Sequence, residues 1–245
     1  MKRILIVVAY DGTDYHGWQT QPNAITVEQI LNETLSDMLN EHIEIIGASR
    51  TDAGVHAEGN VAVFDTETSI PAEKISYALN RKLPRDIVIQ ESYEVPADFH
   101  PRKCDCAKTY VYRILNRNFD MPLKGRNAVH VHRKLNVDLM REAAAYFVGQ
   151  HDFRNFCSTH TQARSTVRII YSLNIYDEDD EIMIEVCGNG FLYNMVRMIA
   201  GTLIDVGCGK MKPERIPEIL ISPKRDFAIN TAPAKGLTLV EIEFD

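Results

Sequence analysis

The sequence predicts an α+β protein of two halves, each a largely antiparallel sheet with helices packed on one face. Three observations carry this expectation. Short β-branched runs alternate along the chain with stretches whose apolar residues recur at helical spacing. Residues 1–100 read β-α-β-β-α-β, the split βαβ or ferredoxin-like order of RRM-like sheets. Residues 101–245 repeat that mixture at similar length, although no residue-level repeat links the halves. The domains expected are therefore 1–100 and 101–245.

In the first half, Ile4 to Tyr10 is a short apolar run rich in β-branched residues, the pattern of a buried strand. Asp11-Gly12-Thr13 turns the chain into a loop that holds Tyr15, His16 and the single tryptophan, Trp18. These aromatics either stack on a ligand or close over the core. Thr26 and Gln29 make a Thr-x-x-Gln capping box, and Val27, Ile30, Leu31, Leu35, Met38 and Leu39 form one apolar helix face. A strand from Gly59 to Thr66 follows. Pro71 opens a second helix as a good first-turn residue, with Ile75, Ala78 and Leu79 inward, and Ile87 to Val95 is the next strand.

Pro96 to Pro101 links the halves. Ala107 to Leu115 is a strand with Thr109, Val111 and Arg113 on one face and Tyr110, Tyr112 and Ile114 on the other. After a polar loop, 116–127, come a short strand at Val129 to His132 and a helix over Val137 to Val148, with Leu139, Met140, Ala143, Ala144 and Phe147 inward. Thr166 to Tyr176 and Ile182 to Val186 are strands joined by the acidic turn 177–181. Phe191 to Ile204 is an apolar helix with one charge midway, Arg197. A short helix at Ile216 to Ile221 and a strand at Gly236 to Phe244 complete the chain.

Composition narrows the class. Hydrophobic residues are 45% and charged residues 25%, the balance of a globular protein. No apolar run approaches the length of a membrane span, and Met1-Lys2-Arg3 leads straight into a strand without a cleavage site, unlike a signal peptide. Five cysteines, an odd number in a chain this long, argue for a reducing cytoplasm rather than a disulfide framework. The net charge of −7 hides an asymmetry: residues 101–176 carry 13 Lys and Arg against 5 Asp and Glu. That basic block fits either a polyanion lying on one surface or an ordinary solvated face.

The stretch Gly47-Ala48-Ser49-Arg50-Thr51-Asp52-Ala53-Gly54-Val55-His56-Ala57 lies between two apolar runs and reads as a loop mounted on strands, a common place for function. Its small residues let the backbone turn tightly and let a ligand approach. From spacing alone, Asp52 either serves chemistry or only closes an Asx-turn, and Arg50 either meets a ligand or caps a neighbour.

Arg50 to Ala57 closely resembles the active-site loop of the tRNA pseudouridine synthase A (TruA) family. Four other segments match that family in order: the Tyr-Asp-Gly-Thr and Gly-Trp-Gln pattern at 10–19, Lys108-Thr109-Tyr110-Val111-Tyr112, the segment 151–157, and Phe191-Leu192-Tyr193-Asn194-Met195-Val196-Arg197. The resemblance implies an active-site cleft between the halves, with Asp52 as the catalytic nucleophile and Arg197 pairing with it. Tyr110 would stack on the uracil or relay the C5 proton, and Arg50 would fill the space left by an extruded base or hold a phosphate. The alternative for Arg197 is a helix charge snorkelling to solvent, against which the apolar residues on both sides over two turns favour a buried pair; the alternative for Tyr110 is a core tyrosine. One departure is Ser49, where many family members have Gly, which leaves the exact target uridines open.

The implied function is cofactor-free isomerisation of uridine to pseudouridine in the anticodon stem-loop of tRNA, at positions 38–40, by a homodimer. The reaction breaks the C1′–N1 bond and rejoins the base through C5. It needs no redox cofactor and no metal-activated water, and one ionised carboxylate suffices. Phosphate contacts would come from Arg102, Lys103, Arg113, Arg117, Lys124, Arg126, Arg133, Lys134, Arg154, Arg164 and Arg168. The competing reading is a non-catalytic module of two RRM-like sheets, weakened by the lack of an RNP1-like run on a strand. A zinc hydrolase is disfavoured because Cys104-x-Cys106 and His130-x-His132 lack zinc-site spacing.

Overall fold

The computed structural model describes residues 1–159, 163–225 and 227–244. The fold is mixed α+β, with mostly antiparallel strands and, among the described residues, five α-helices. Two compact units divide the chain: Met1–Cys106 with Leu239–Asp245, and Ala107–Thr238. The last strand, expected with the second half, thus belongs largely to the first unit. Among the described residues no helix is long and apolar enough to cross a membrane.

In the first unit, β1 (Lys2–Tyr10), α1 (Val27–Leu39), β2 (Ile46–Gly47), β3 (His56–Thr66), α2 (Ala72–Leu79) and β4 (Ile87–Val95) follow the expected order. β1 lies between β3 and β4, antiparallel to both, and β2 pairs with β3 at Ile46↔Val63. The final strand, β10 (Leu237–Phe244), is a further neighbour of β3. Alternation along β1 turns Ile4, Ile6 and Val8 to the face where Phe64, Ala62 and Asn60 stand opposite them on β3, and all six are buried. α2 covers that face. Ser92 of β4, opposite Ile6, accepts a hydrogen bond from Ser76 N (2.9 Å) and donates to Ala72 O (2.7 Å). Asn80 at the end of α2 exchanges two hydrogen bonds with the backbone of Ile89.

Thr26 caps α1 by accepting from Gln29 N at 3.4 Å. The reciprocal half of the capping box is not made, because the Gln29 side chain donates to Glu33 instead. Val27, Leu31 and Leu35 are wholly buried, each worth about 1.5–3 kcal/mol of transfer free energy. Ile30, Met38 and Leu39 are only half-buried, so the apolar stripe is narrower than expected. The Ile43 to Ile46 run forms little strand: Ser36 Oγ and Asn32 Oδ1 of α1 accept from Ile43 N and Ile45 N, which satisfies the backbone without a neighbouring strand. β3 begins at His56 rather than Gly59, and Pro71 is the cap of α2 rather than a first-turn residue. Tyr15 and Trp18 turn into the core, which decides between the two readings of that aromatic loop.

The second unit holds β5 (Cys106–Leu115), β6 (Val129–His130), α3 (Val137–Ala145), β7 (Gly149–Asp152), β8 (Val167–Glu178), β9 (Glu181–Gly188), α4 (Met195–Gly207) and α5 (Arg215–Ile221). Its strand order is β5-β9-β8-β7, antiparallel throughout, with β6 parallel to β5. β7 has no counterpart among the expected elements, since Gly-Gln-His-Asp offers no apolar alternation. α3 and α4 pack on each other, and α3 also lies on β8. Phe147, Phe153 and Phe156 meet edge-on beside them, with centroids 5.0 and 6.4 Å apart. α4 starts at Met195, four residues later than its apolar run, because Asn194 adopts a left-handed conformation (φ 63°).

Candidate active site

The loop between β2 and β3 is held from beneath at almost every residue. Ala48 N donates to Val61 O (2.7 Å), extending the β2–β3 pairing. Asn60, wholly buried on β3, donates to Ser49 O at 3.1 Å while its Oδ1 accepts from Val61 N. The Thr51 hydroxyl meets the Tyr10 hydroxyl at 2.6 Å in a buried contact. Trp18 N donates to Thr51 O (3.1 Å) and Gly54 N to Tyr15 O (3.2 Å), so the 11–18 loop braces this one. A buried polar network of this kind, satisfied partner by partner, fixes one loop conformation.

Exposure alternates along the extended part of the loop. Ser49 and Thr51 are buried, Arg50 is exposed and Asp52 half-exposed. Arg50 and Asp52 are thus more accessible than Ser49 and Thr51. Beyond them the chain reverses: Val55 N donates to Asp52 O at 3.1 Å, with Gly54 at φ +76° in the third position of the turn. Only glycine takes that conformation at no steric cost. Gly54 N–H, the group an Asx-turn at Asp52 would call on, donates to Tyr15 O. The Ser49 side chain is buried, so its hydroxyl does not extend the exposed surface at Arg50. His56, also buried, accepts from Gly12 N at Nδ1 (3.1 Å) and anchors the start of β3.

Tyr110 and Arg197 belong to the second unit. Tyr110 stands on β5 opposite Val186 of β9, 7% exposed, with its ring edge-on to Phe191 at 5.3 Å between centroids. Tyr112, two residues on, is wholly buried. Its hydroxyl donates to Pro233 O (2.9 Å), and burial pushes its phenol well above the usual range. Of the two tyrosines on this face, Tyr112 is therefore the structural one. Arg197 lies in the first turn of α4, half-buried, its Nε donating to Ala232 O (2.8 Å) and its Nη1 to Asn194 Oδ1 (2.9 Å). A side chain held at both points is not one that snorkels.

Several of the basic residues proposed for RNA have local acidic partners. Arg117 pairs with Asp180 (3.3 Å), Lys124 with Glu181, and Arg154 with Asp152, whose carboxyl the guanidinium holds below the usual carboxylate range. Arg102, Lys103, Arg126, Arg133, Lys134 and Arg164 are exposed. Of the pairs weighed as metal ligands, His130 has Nε2 2.7 Å from Arg117 O. Among the described residues no group of three or more His, Cys, Asp or Glu is placed to hold a metal ion. Sequence reasoning missed Asn60, Asn194 and the segment at 230–232. Asn60 sits inside a strand pattern, where a lone polar residue is the one available signal.

Comparison with known proteins gives a consistent family. The sequence model of the tRNA pseudouridine synthases matches residues 6–102 and 143–245. The chain is 51% identical over 245 residues to the tRNA pseudouridine synthase A of Ruminiclostridium cellulolyticum, covering 100% of both chains. It is 48% identical over 244 residues to that of Acetivibrio thermocellus, again covering 100% of both. It is also 45% identical over 242 residues to tRNA pseudouridine synthase A 2 of Clostridium perfringens, covering 99% of each. With a match of this extent, the chain belongs to the tRNA pseudouridine synthase family.

Proposed function

We propose that this chain converts uridine to pseudouridine in the anticodon stem-loop of tRNA, at positions 38–40, with Asp52 as the nucleophile. Membership of the family carries the reaction class, an isomerisation of uridine in tRNA, and nothing favours a non-catalytic RNA-binding module. The assignment of Asp52 is supported by one observation above the rest. In a loop braced from beneath by Asn60, Tyr10 and Trp18, Asp52 is half-exposed two residues from the exposed Arg50. A preorganised loop is what a nucleophile needs, since a displacement of about 1 Å costs on the order of a hundredfold in rate.

In this reading the target base leaves its stack, the C1′–N1 bond breaks with help from the Asp52 carboxylate, and the base turns before C5 bonds to C1′. N1 ends protonated and C5 loses its proton, so the atoms balance with no added water or cofactor. Tyr110 and Arg197 are assigned to binding the uridine, and Arg50 to the space the base vacates or to a phosphate. The exposed Arg102, Lys103, Arg126, Arg133, Lys134 and Arg164 are assigned to the RNA backbone. The two-halved ferredoxin-like description fits the chain order. After β1-α1-β2-β3-α2-β4, the order β5-α3-β8-β9-α4-β10 recurs once β6, β7 and α5 are set aside, and β5-β9-β8 repeats the neighbours β1-β3-β2. The homodimer rests on the resemblance, and the cytoplasmic setting on the odd number of cysteines.

Asp52→Asn keeps the size of the side chain and removes the nucleophile. Release of tritium from C5-labelled uridine in tRNA should fall to background, while tRNA binding by filter retention stays close to wild type. Turnover near the wild-type rate would remove Asp52 from the mechanism.

A further inference from the structure

We propose that Asn194 is a positioning residue for Arg197: its left-handed backbone turns the side-chain carbonyl away from the helix end and onto the guanidinium. The proposal rests on the assignment of Arg197 to the uridine site.

Among the described residues, three other than glycine have positive φ: Asn40, Asp179 and Asn194. Asn40 ends α1, and Asp179 lies in the hairpin turn between β8 and β9. Both are places where a left-handed residue is ordinary. Asn194 instead precedes a helix, where the cap residue is usually extended and its side chain accepts from the second or third amide. α1 and α3 follow that rule. Thr26 (φ −132°) accepts from Gln29 N, and Asn136 (φ −87°) accepts from Leu139 N. α4 breaks it: Asn194 makes no side-chain cap bond, although asparagine is among the best capping residues. Its Oδ1 accepts from Arg197 Nη1 at 2.9 Å, one turn along. The conformation is thus spent on the arginine and not on the helix.

A second hold comes from the segment at 230–232. Arg197 Nε donates to Ala232 O at 2.8 Å, and Ala232 N donates back to Arg197 O at 3.0 Å. One anchor would leave the guanidinium to rotate. Anchors on Nε and Nη1 together fix its plane, and the plane sets the direction of every other N–H in the group. The segment is tied down in turn. Asn230 O lies against the Gly201 backbone, and the Asn230 side chain bonds to Asp205, which also accepts from Lys210 Nζ at 3.2 Å. Arg197, Gly201 and Asp205 recur every four residues and form one stripe of α4 against this segment.

Asn194→Gly is the informative variant. Glycine takes φ 63° readily, so the backbone keeps its course while the acceptor is removed. The melting temperature should stay within a few degrees of wild type, whereas kcat should fall about ten- to a hundredfold as the guanidinium loses one anchor. Asn194→Asp retains the acceptor oxygen and should recover most of kcat. In an Arg197→Met background, Asn194→Gly should cause no further loss, because the two residues act as one unit. Wild-type kcat in Asn194→Gly, an equal fold-loss in both backgrounds, failure of Asn194→Gly to fold, or an Asn194→Asp variant as impaired as the glycine would each overturn the proposal. Wild-type turnover in Arg197→Met alone would instead overturn the assignment of Arg197, and this proposal with it.

Discussion

Gly201→Ala tests the packing of α4 with a change whose sign separates two effects. In a solvent-exposed helix interior, alanine is the better residue by about 1 kcal/mol, so the substitution would stabilise. Here a methyl at position 201 would stand 2.1 Å from Asn230 O and 2.9 Å from Asn230 C, both backbone atoms. Ordinary contact needs about 3.5 Å, so the 230–232 segment must retreat by about 1.4 Å. Forcing a methyl into a packed contact costs about 1–3 kcal/mol. The retreat also weakens the bond from Arg197 Nε to Ala232 O, a charged hydrogen bond worth about 1.5–3 kcal/mol. Set against the helix gain, the expected net loss is about 1–3 kcal/mol. For a chain of this size that lowers Tm by about 2–4 °C for each kcal/mol. Thermal melts of wild type and variant measure it directly, and single-turnover kinetics should show kcat falling with it. A variant that melts higher than wild type would show that the segment yields freely and that helix propensity governs the site.

Two further outcomes are expected. Arg3 donates to both Asp65 oxygens (2.8 and 2.7 Å) and its hydrogen bonds hold the Asp65 carboxyl below the usual range, so the pair stabilises above the unfolded pKa of about 4 and is lost as pH falls through the lower folded value. Asp65→Asn should therefore be less stable than wild type at neutral pH and converge with it in acid, and denaturation curves that differ equally at pH 7 and pH 3 would contradict this. Replacing Arg133 and Lys134 by Gln should weaken tRNA binding and flatten its log–log salt dependence by about 0.9 for each duplex phosphate that is no longer neutralised; an unchanged slope would put the RNA elsewhere.

Most of the first unit was legible in the sequence because its elements bury one face each. The alternation in Ile4 to Tyr10 and the helical stripe of Val27, Leu31 and Leu35 are direct consequences of that burial. β4 falls on its expected residues, Ile87 to Val95. The elements that went astray are those whose backbone is satisfied by something other than a periodic neighbour. Ile43 and Ile45 are buried like strand residues, yet their amides go to two side chains of α1. β7 is a strand because β8 offers it a free edge, which no property of Gly149 to Asp152 announces. β10 reads as a strand from its own residues, but its place beside β3 is set by long-range pairing, invisible to local pattern.

The site divides along the same line. Arg50, Asp52, Tyr110 and Arg197, the residues proposed for the site, stand out by motif, and the structure adds what braces the loop of Asp52, the ring of Tyr110 and the guanidinium of Arg197. Those holders are ordinary residues whose importance is geometric. Asn60 matters because it is wholly buried beneath Ser49, and Gly54 because the turn after Asp52 needs positive φ. Asn194 is the sharpest instance. In the sequence Asn194 lies inside the apolar run from Phe191 to Ile204; with the helix beginning at Met195, an N-cap is the commonest use of asparagine at that place. Had it capped α4 in the ordinary way, its Oδ1 would have faced the helix amides and not the Arg197 guanidinium. The cap and the clamp compete for one oxygen, and only the backbone angle at Asn194 says which has won. A sequence names the donors and acceptors at such a point but not the torsion that assigns them. Site residues are therefore easier to read than the residues that aim them.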